Sequence, residues 1–336
     1  MTLTRPTDAL AHAPPADLTL RPFRGDAADY EAMAALRNPI WPEYAYSVAE
    51  YQRWDAKREP RLAFARFVAE VGGQPVGMAD YEHVPWMYHP QKFFGSLFVH
   101  PAHRGSGIGT RLYEHLLAAM TPHKPLALRH SIREDFPKGL RFLAQRGFVE
   151  ESRTWESRLD VARFDPTPFA GADERVTRQG ISITTADELL AHDPAFWPKL
   201  YTCDCDASRD MPMPEPYTPP PFEAWVQHFQ ANPSFLPAAY IIAVHGERYV
   251  GVSALWHREE RRDLDTGFTG VVRDYRRRGI ALALKLRAIE YARSVGAPSI
   301  RTDNDATNRP MLNINEAFGF VKQPAWLILV RTMAAS

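Results

Sequence analysis

The sequence VHPAHRGSGIGTRLYEHLL, residues 99–117, has a counterpart in VVRDYRRRGIALALKLRAIEYA, residues 271–292. Both contain the pattern R-x-x-G-x-G/A, which begins at Arg104 in the first copy and at Arg276 in the second. A Gly-Phe pair follows 43 residues after each arginine, at Gly147 and at Gly319, so both features repeat at one offset of 172 residues. Such constant internal spacing indicates that a whole structural unit has been duplicated.

Each copy of the pattern lies between an apolar, strand-like run and a segment with helical spacing, in which Leu112 and Leu116, or Leu282 and Leu286, recur. Small residues at such a turn let the backbone approach a ligand, and the first N–H groups of the helix can then bind phosphate oxygens. The pattern matches neither the Walker loop nor the G-x-G-x-x-G dinucleotide fingerprint. It therefore favours a pyrophosphate ligand of another class.

The composition is that of a globular protein, with 45% hydrophobic and 24% charged residues in a chain of 336. Lysine plus arginine equals aspartate plus glutamate at 40 each, which argues against a nucleic-acid or membrane-surface partner. The first 17 residues lack the apolar run of a signal peptide, and we expect a flexible tail there. We accordingly expect a soluble, cytoplasmic protein.

Two domains of ordinary size fit this length. Alternating runs before each glycine motif predict antiparallel meanders, and the segments after it predict helix, strand, helix and strand. The fold class expected is α+β, with each copy a twisted, mixed and mostly antiparallel sheet flanked by helices. We place an N-terminal domain at 18–164, a linker rich in Pro, Gly and charge at 165–178, and a C-terminal domain at 179–336.

These motifs, together with TDNDATNRPMLNINEAFGF at 302–320, resemble the GNAT family of N-acetyltransferases from Leu18 onward. The tandem arrangement is similar to that of mycothiol synthase-like members. The resemblance implies acetyl-coenzyme A as co-substrate, no metal, and a loop that holds the coenzyme pyrophosphate. The implied coenzyme-binding residues are Val99, Arg104, Gly105, Ser106, Gly107, Ile108 and Gly109 in the first copy, and Val271, Val272, Arg276, Arg277, Arg278, Gly279, Ile280, Ala281 and Asn308 in the second.

The resemblance also implies a carboxylate general base eleven residues before the motif arginine. That position is Asp265 in the second copy and Phe93 in the first. A solvated or ion-paired strand residue is the alternative interpretation of Asp265, and the rival bases are Asp263, Glu259, Glu260 and His257. The tyrosine that serves as general acid in many family members is replaced by Asn315 and Leu143 in the two copies.

Other candidate groups have simpler interpretations. Asp204, Asp206, Asp210 and Glu215 would attract a cationic amine, although a solvated acidic turn explains them equally. Cys203 and Cys205 do not form a zinc-binding set and are expected to be ordinary reduced cysteines.

The function predicted is transfer of an acetyl group from acetyl-coenzyme A to a primary amine of a small molecule, by direct attack in a ternary complex. Because the second copy alone combines the loop with Asp265 and Asn308, it is expected to carry most of the catalysis. The alternatives are two active sites, or an acyl-coenzyme A sensor or interaction protein without catalysis. We expect a pseudo-symmetric monomer or a homodimer.

Overall fold

The computed structural model describes residues 13–258 and 261–333. By their internal contacts these residues divide into two compact units. Unit one comprises the chain up to Ser131, Arg146–Val149 and the residues from Leu329 onward, and unit two comprises Ile132–Gln145 and Glu150–Ile328. Within the described ranges, no helix is long and apolar enough to span a membrane.

The strands and helices of the first sequence copy are β1 (Thr19–Pro22), α1 (Ala27–Arg37), α2 (Val48–Ala56), β2 (Phe64–Val71), β3 (Gln74–Glu82), β4 (Lys92–Val99), α3 (Ile108–Met120), β5 (Ala127–Arg133), α4 (Pro137–Ala144) and β6 (Val149–Asp160). Those that follow are α5 (Ala172–Thr177), β7 (Ile181–Thr185), α6 (Ala186–His192), α7 (Phe196–Ser208), α8 (Phe222–Gln230), β8 (Phe235–His245), β9 (Arg248–Arg258), β10 (Arg261–Val271), α9 (Ile280–Ser294), β11 (Ser299–Asp305), α10 (Arg309–Ala317), β12 (Val321–Lys322) and β13 (Trp326–Thr332).

In unit one the strand order is β1-β2-β3-β4-β5, with antiparallel neighbours except for the parallel pair β4 and β5. The apolar face of α3 buries Ile108, Leu112 and Leu116, as the helical spacing predicts. The helix α2 begins at a capping box in which Ser47 and Glu50 satisfy each other's backbone N–H groups, which sets its start on the chain.

In unit two the strand order is β6-β11-β10-β9-β8-β7, and β12 pairs with β6. Here again one pair, β10 with β11, is parallel, while β7 to β10 form an antiparallel meander. The helix α9 packs against β8, β9 and β10 and buries Ile280, Leu284 and Ile289. The fold class predicted from the sequence, α+β with mixed, mostly antiparallel strands and flanking helices in each unit, is confirmed.

The division into units differs from the boundaries placed on the sequence. Residues from Glu150 to Asp160, which precede the predicted linker, form the strand beside β11 in unit two. Within the predicted linker, α5 buries Val176 in the core of unit two. The boundaries 18–164, 165–178 and 179–336 stay predictions about the duplicated segments, and of the predicted tail, residues 1–12 lie outside the described residues.

Candidate active site

The loop of the first copy joins the end of β4 to the start of α3. Gly105 and Gly107 have φ of 83° and 77°, a left-handed conformation that favours glycine, and Gly107 is the N-cap of the helix. A Cβ on Gly105 would meet nothing within 4 Å. The loop is therefore open beside Gly105, and the helix N-terminus that follows it favours an anion.

The loop of the second copy has the same form with a different side chain at its turn. Gly279, the N-cap of α9, has a φ of 83°. Arg277 stands where the first copy has Gly105, and its φ is 61°. A left-handed backbone costs a residue with a side chain on the order of 1 kcal/mol. The second loop therefore has an additional arginine, Arg277, in a backbone conformation that is unfavourable for a residue with a side chain.

The motif arginine has the same contact in both loops. Arg104 Nε donates a hydrogen bond of 2.9 Å to the carbonyl oxygen of Val99, and Arg276 Nε donates one of 2.9 Å to that of Val271. In addition, Arg276 pairs with Asp210 at 2.9 Å. These arginines tie the loop to the end of the preceding strand, a structural role that the sequence pattern does not reveal.

In each unit the parallel strand pair diverges. The pairing of β4 with β5 runs from Lys92↔Ala127 to Phe94↔Arg129, and that of β10 with β11 comprises Leu264↔Ile300 and Asp265↔Arg301. Beyond these pairs, β4 and β10 continue without a parallel partner in the pairing of the described residues. We call the two divergences the unit-one fork and the unit-two fork. Backbone N–H and C=O groups along a fork can pair with an extended ligand.

A bulge in β10 shapes the unit-two fork. The pairing of β10 with β9 shifts between Thr266 and Phe268, which leaves Gly267 as the extra residue. A Cβ at Gly267 would lie 1.8 Å from Nε1 of Trp256, so only glycine allows the indole ring to lie against the strand there. Val271 and Val272, farther along, have buried side chains. The N–H of Val272 donates to the carbonyl of Val250, and its carbonyl accepts from the N–H of Tyr275, so its backbone is held within the protein.

Asp265 lies at the start of the unit-two fork, with a side chain that is 19% exposed. It pairs in register with Trp256 of β9 and so shares one face of the sheet with that indole, which contacts Phe229 of α8. Its Oδ1 is 3.8 Å from Nε of Arg301, a side chain only 3% exposed. The side chain is therefore partly exposed, while its Oδ1 is buried and has a buried cation as neighbour.

Glu156 is a buried carboxylate in this region that sequence reasoning missed. Its side chain is 1% exposed, its Oε1 accepts a hydrogen bond of 2.9 Å from Arg158 Nε, and the same oxygen lies 3.5 Å from Arg301 Nε. It belongs to β6, which the sequence assigns to the first copy. Only the pairing of β6 with β11, opposite Asp303, brings it here, and no local signal in the sequence reports that pairing.

The rival bases are less well placed or lie outside the described residues. Asp263 forms an ion pair with Arg261 and accepts a hydrogen bond of 2.9 Å from Ser299. Burial opposes its charge, but these hydrogen bonds outweigh burial and lower its pKa, which makes it a weaker base. His257 pairs with Leu264, one position before Asp265, and therefore lies on the opposite face of the sheet. Glu259 and Glu260 lie outside the described residues.

The counterpart of Asp265 in unit one depends on how the two copies are aligned. Counting from the motif arginines matches it to Phe93. In the strand pairing Asp265 stands opposite Arg301, as Phe94 stands opposite Arg129, and Arg129 and Arg301 are both buried. The bulge at Gly267 accounts for the difference of one residue. An aromatic residue occupies the position by either alignment.

Asn308, predicted to contact the coenzyme, is the N-cap of α10. Its Oδ1 accepts a hydrogen bond of 3.4 Å from the N–H of Met311, an arrangement that orients the amide. Phe136, its counterpart, is the N-cap of α4 without a side-chain hydrogen bond. Asn315 and Leu143, at the position of the family's tyrosine, are both buried, and neither has a hydroxyl to donate a proton.

Arginines and aromatic residues surround the acidic residues of α7 and the loop after it. Asp206 pairs with Arg209 and Arg248. Asp210 pairs with Arg273 and Arg276 beside the second loop, and the hydrogen bond from Arg273 lowers its pKa. These two carboxylates therefore offer less charge to an amine than the sequence suggests.

Asp204 differs from its neighbours, because burial raises its pKa to about 6 while Trp225 Nε1 donates to it at 3.3 Å. Cys203 and Cys205 are buried thiols whose pKa burial raises, so they are poor nucleophiles. Within the described residues, no group of three or more His, Cys, Asp or Glu side chains is arranged to hold a metal ion.

Two copies of one loop, each followed by a helix and preceded by a forked strand pair, define a tandem acyltransferase. The chain belongs to the acetyltransferase (GNAT) family, whose model matches residues 30–148 and 199–320. It is therefore an acyltransferase, and the acetyltransferases of this family use acetyl-coenzyme A.

Among curated relatives, the chain is 25% identical over 280 residues to a mycothiol acetyltransferase of Streptomyces scabiei, with 82% of both chains covered. It is 26% identical over 233 residues to the mycothiol acetyltransferase of Thermobispora bispora, with 68% of this chain and 72% of the relative covered.

Two of the solved structures that match nearly the whole chain illustrate the likeness. One is a GCN5-related N-acetyltransferase from Sphaerobacter thermophilus, with a TM-score of 0.71, 20% identity and coverage of 95% of this chain and 97% of that one. The other is a tandem GNAT protein from the clavulanic acid biosynthesis pathway, with a TM-score of 0.70, 19% identity and coverage of 95% and 99%. At these identities the likeness supports the fold.

Proposed function

We propose that this chain transfers the acetyl group of acetyl-coenzyme A to a primary amine of a small molecule, mainly in unit two. The observation that carries the proposal is that Asp265 and the phosphate-type loop lie at the two ends of one forked strand. The extended segment from Asp265 to Val271 spans about 20 Å. A long, narrow ligand with phosphates at one end and a thioester at the other suits such a span.

In this proposal, the coenzyme phosphates bind the N–H groups of Gly279, Ile280 and Ala281, and the charges of Arg277 and Arg278 add to the attraction. Arg276 organises the loop through its bond to Val271. The backbone of Val271 pairs with the pantetheine arm, Val272 lies next to it, and the side-chain amide of Asn308 contacts the same arm.

The corresponding residues of unit one, from Arg104 to Gly109 with Val99, form a second coenzyme-binding loop. Its glycines have the required conformation, and the space beside Gly105 is open. Because an aromatic residue occupies the start of the unit-one fork, we propose that unit one binds the coenzyme without turnover.

Catalysis in unit two requires a neutral amine. Asp265, directly or through one water, accepts a proton from the acceptor ammonium, and the nitrogen then attacks the thioester carbonyl. A C–N bond forms, and N–H groups along β10 stabilise the oxyanion. The C–S bond then breaks and the coenzyme leaves as a thiolate, a tolerable leaving group because thiols have a pKa near 8.5. The surplus proton on the attacking nitrogen passes through water to the thiolate, which leaves a neutral amide and the free coenzyme thiol. No covalent acyl-enzyme is involved.

The acceptor class is a small molecule with a primary amine. The curated relatives are named mycothiol acetyltransferases, so an amine related to mycothiol is one acceptor to test. An acyl-coenzyme A sensor and a protein with two active sites are the alternative functions.

The test uses the full chain, acetyl-coenzyme A and a panel of small primary amines, with release of free coenzyme A thiol as the readout. We expect amine-dependent thiol release with at least one amine, above the hydrolysis measured without an acceptor. Native mass spectrometry of the same sample is expected to show two bound coenzyme molecules per chain. Coenzyme binding without thiol release for any amine would instead support the sensor.

A further inference from the structure

The carboxylate of Glu156 has an arrangement that stability alone does not explain. It is buried beside the guanidinium groups of Arg158 and Arg301, at 2.9 Å and 3.5 Å. Removing a carboxylate and a guanidinium from water carries a large desolvation cost, and their attraction often only offsets that cost. Apolar side chains would serve a purely structural strand pair as well, so a charged pair at this place suggests a role in chemistry.

Arg301 connects Glu156 to the proposed base. Its Nε lies 3.5 Å from Oε1 of Glu156 and 3.8 Å from Oδ1 of Asp265, so two carboxylates share one buried cation. The pairing of β6 with β11 runs from Ser299↔Asp160 to Asp305↔Thr154 and fixes this order across the sheet. Any change in the charge of Glu156 therefore changes how strongly Arg301 stabilises the ionised form of Asp265.

We propose that Glu156, supplied by the first sequence copy, is a positioning residue for acetyl transfer in unit two. It holds Arg301 in place and offsets part of its positive charge, so that the carboxylate of Asp265 is not committed to an ion pair with Arg301 and can accept a proton. This inference rests on the proposed function, in which Asp265 is the base. It also predicts that the second copy alone, residues 179–336, lacks a part of its own site.

Other charged side chains lie near Glu156, Arg301 and Asp265. Those from the packed elements are Asp303 on β11, Arg158 on β6, Arg261 and Asp263 on β10, and His228 on α8 beside Trp256. Asp263 is held by Arg261 and Ser299. Oxygens of both Glu156 and Asp265 lie within 4 Å of Arg301 Nε.

The experiment measures kcat/KM against pH in the full chain, with acetyl-coenzyme A and the best amine of the panel. The acidic limb is the part of the profile in which kcat/KM falls as the pH is lowered. Glu156→Gln removes a negative charge, so this limb is expected to move to lower pH by about half a unit, and the maximal kcat/KM is expected to be several-fold lower. Arg301→Gln removes the shared cation and is expected to move the limb to higher pH. Glu150→Gln, on the same strand but exposed, is the matched control and is expected to leave the limb in place.

Opposite movements of the limb in the two variants support the inference, because a purely structural role lowers activity without moving the limb in opposite directions. Movement in the same direction, or an unmoved limb in Glu156→Gln, overturns it. If Glu156→Gln does not fold, Arg158→Gln replaces it. Without the hydrogen bond from Arg158, Glu156 offsets more of the charge on Arg301. The acidic limb is then expected to move to higher pH. An unmoved limb there overturns the inference as well.

A failure of the proposed function has a different signature. If Asp265→Asn retains the acidic limb of the wild-type chain, Asp265 is not the base, whatever the Glu156 variants show. If Asp265→Asn abolishes the limb while Glu156→Gln leaves it unmoved, the proposed function stands and the role of Glu156 is wrong.

Discussion

The two loops of this chain are alike in backbone and unlike in side chains. Both place a left-handed glycine at the helix N-cap, and both tie the motif arginine to the preceding strand by a 2.9 Å hydrogen bond. At the forks beyond them, however, unit two has Asp265 opposite a buried arginine, whereas unit one has Phe94. The comparison teaches that the two units keep one loop backbone while they differ in the side chain at the fork, and the proposed assignment of catalysis to unit two rests on that difference.

Substitution of the two N-cap glycines gives the largest contrast between the units. Gly279→Val forces a β-branched residue into a φ of 83° and displaces the N–H groups that we assign to the phosphates, so turnover should fall at least about 100-fold. Gly107→Val should leave turnover near the wild-type value and remove one bound coenzyme. Turnover and native mass spectrometry on both variants check this.

Gly246→Val is the control for the glycine pair, because it also has a positive φ, of 59°, but lies in the β8–β9 turn. It should retain both coenzyme molecules and full turnover. Equal loss of turnover in Gly107→Val and Gly279→Val would mean that both units catalyse.

Removal of the hydrogen bond between the motif arginine and the preceding strand should give a smaller difference between the two units. Arg276→Met removes the hydrogen bond to Val271 and the pair with Asp210, at a cost of about 1 to 2 kcal/mol in loop order. The KM for acetyl-coenzyme A should rise about 5-fold to 30-fold with little change in kcat. Arg104→Met, its counterpart, should leave the KM unchanged, and a rise there would show that unit one takes part in turnover.

The smallest contrast concerns the position that is Gly105 in one loop and Arg277 in the other. Arg277→Gly relieves the left-handed backbone and should stabilise the protein by up to about 1 kcal/mol, while weakening coenzyme binding by the loss of a cation. Thermal unfolding and titration with acetyl-coenzyme A measure the two effects. The reverse change, Gly105→Arg, should lower stability by a similar amount, and a rise in stability would contradict the strain at this position.

The sequence predicted what depends on local patterns. The strand, loop and helix around Gly107 and Gly279 follow from glycine spacing and helical periodicity, which act within about twenty residues. The forks were not predictable, because they arise where two strands distant in sequence stop pairing. The bulge at Gly267 shifts the alignment of Asp265 by one residue, and counting residues does not detect it.

Glu156 shows the same limit more clearly. It precedes the predicted linker and so reads as part of the first copy, yet its strand pairs with β11 in unit two. Long-range strand pairing is set by the whole core and not by residues near Glu156 in sequence. The buried state of Arg301 is hidden in the sequence for the same reason, since an arginine in a strand is ordinarily exposed.

The most direct test of the central claim, that unit two catalyses with Asp265 as base, is the kcat/KM profile of Asp265→Asn against pH. We predict a fall of about 100-fold or more at neutral pH, loss of the acidic limb, and an unchanged number of bound coenzyme molecules. Phe94→Leu at the unit-one fork should retain the wild-type profile. An Asp265→Asn profile that keeps the wild-type limb and rate would contradict the claim.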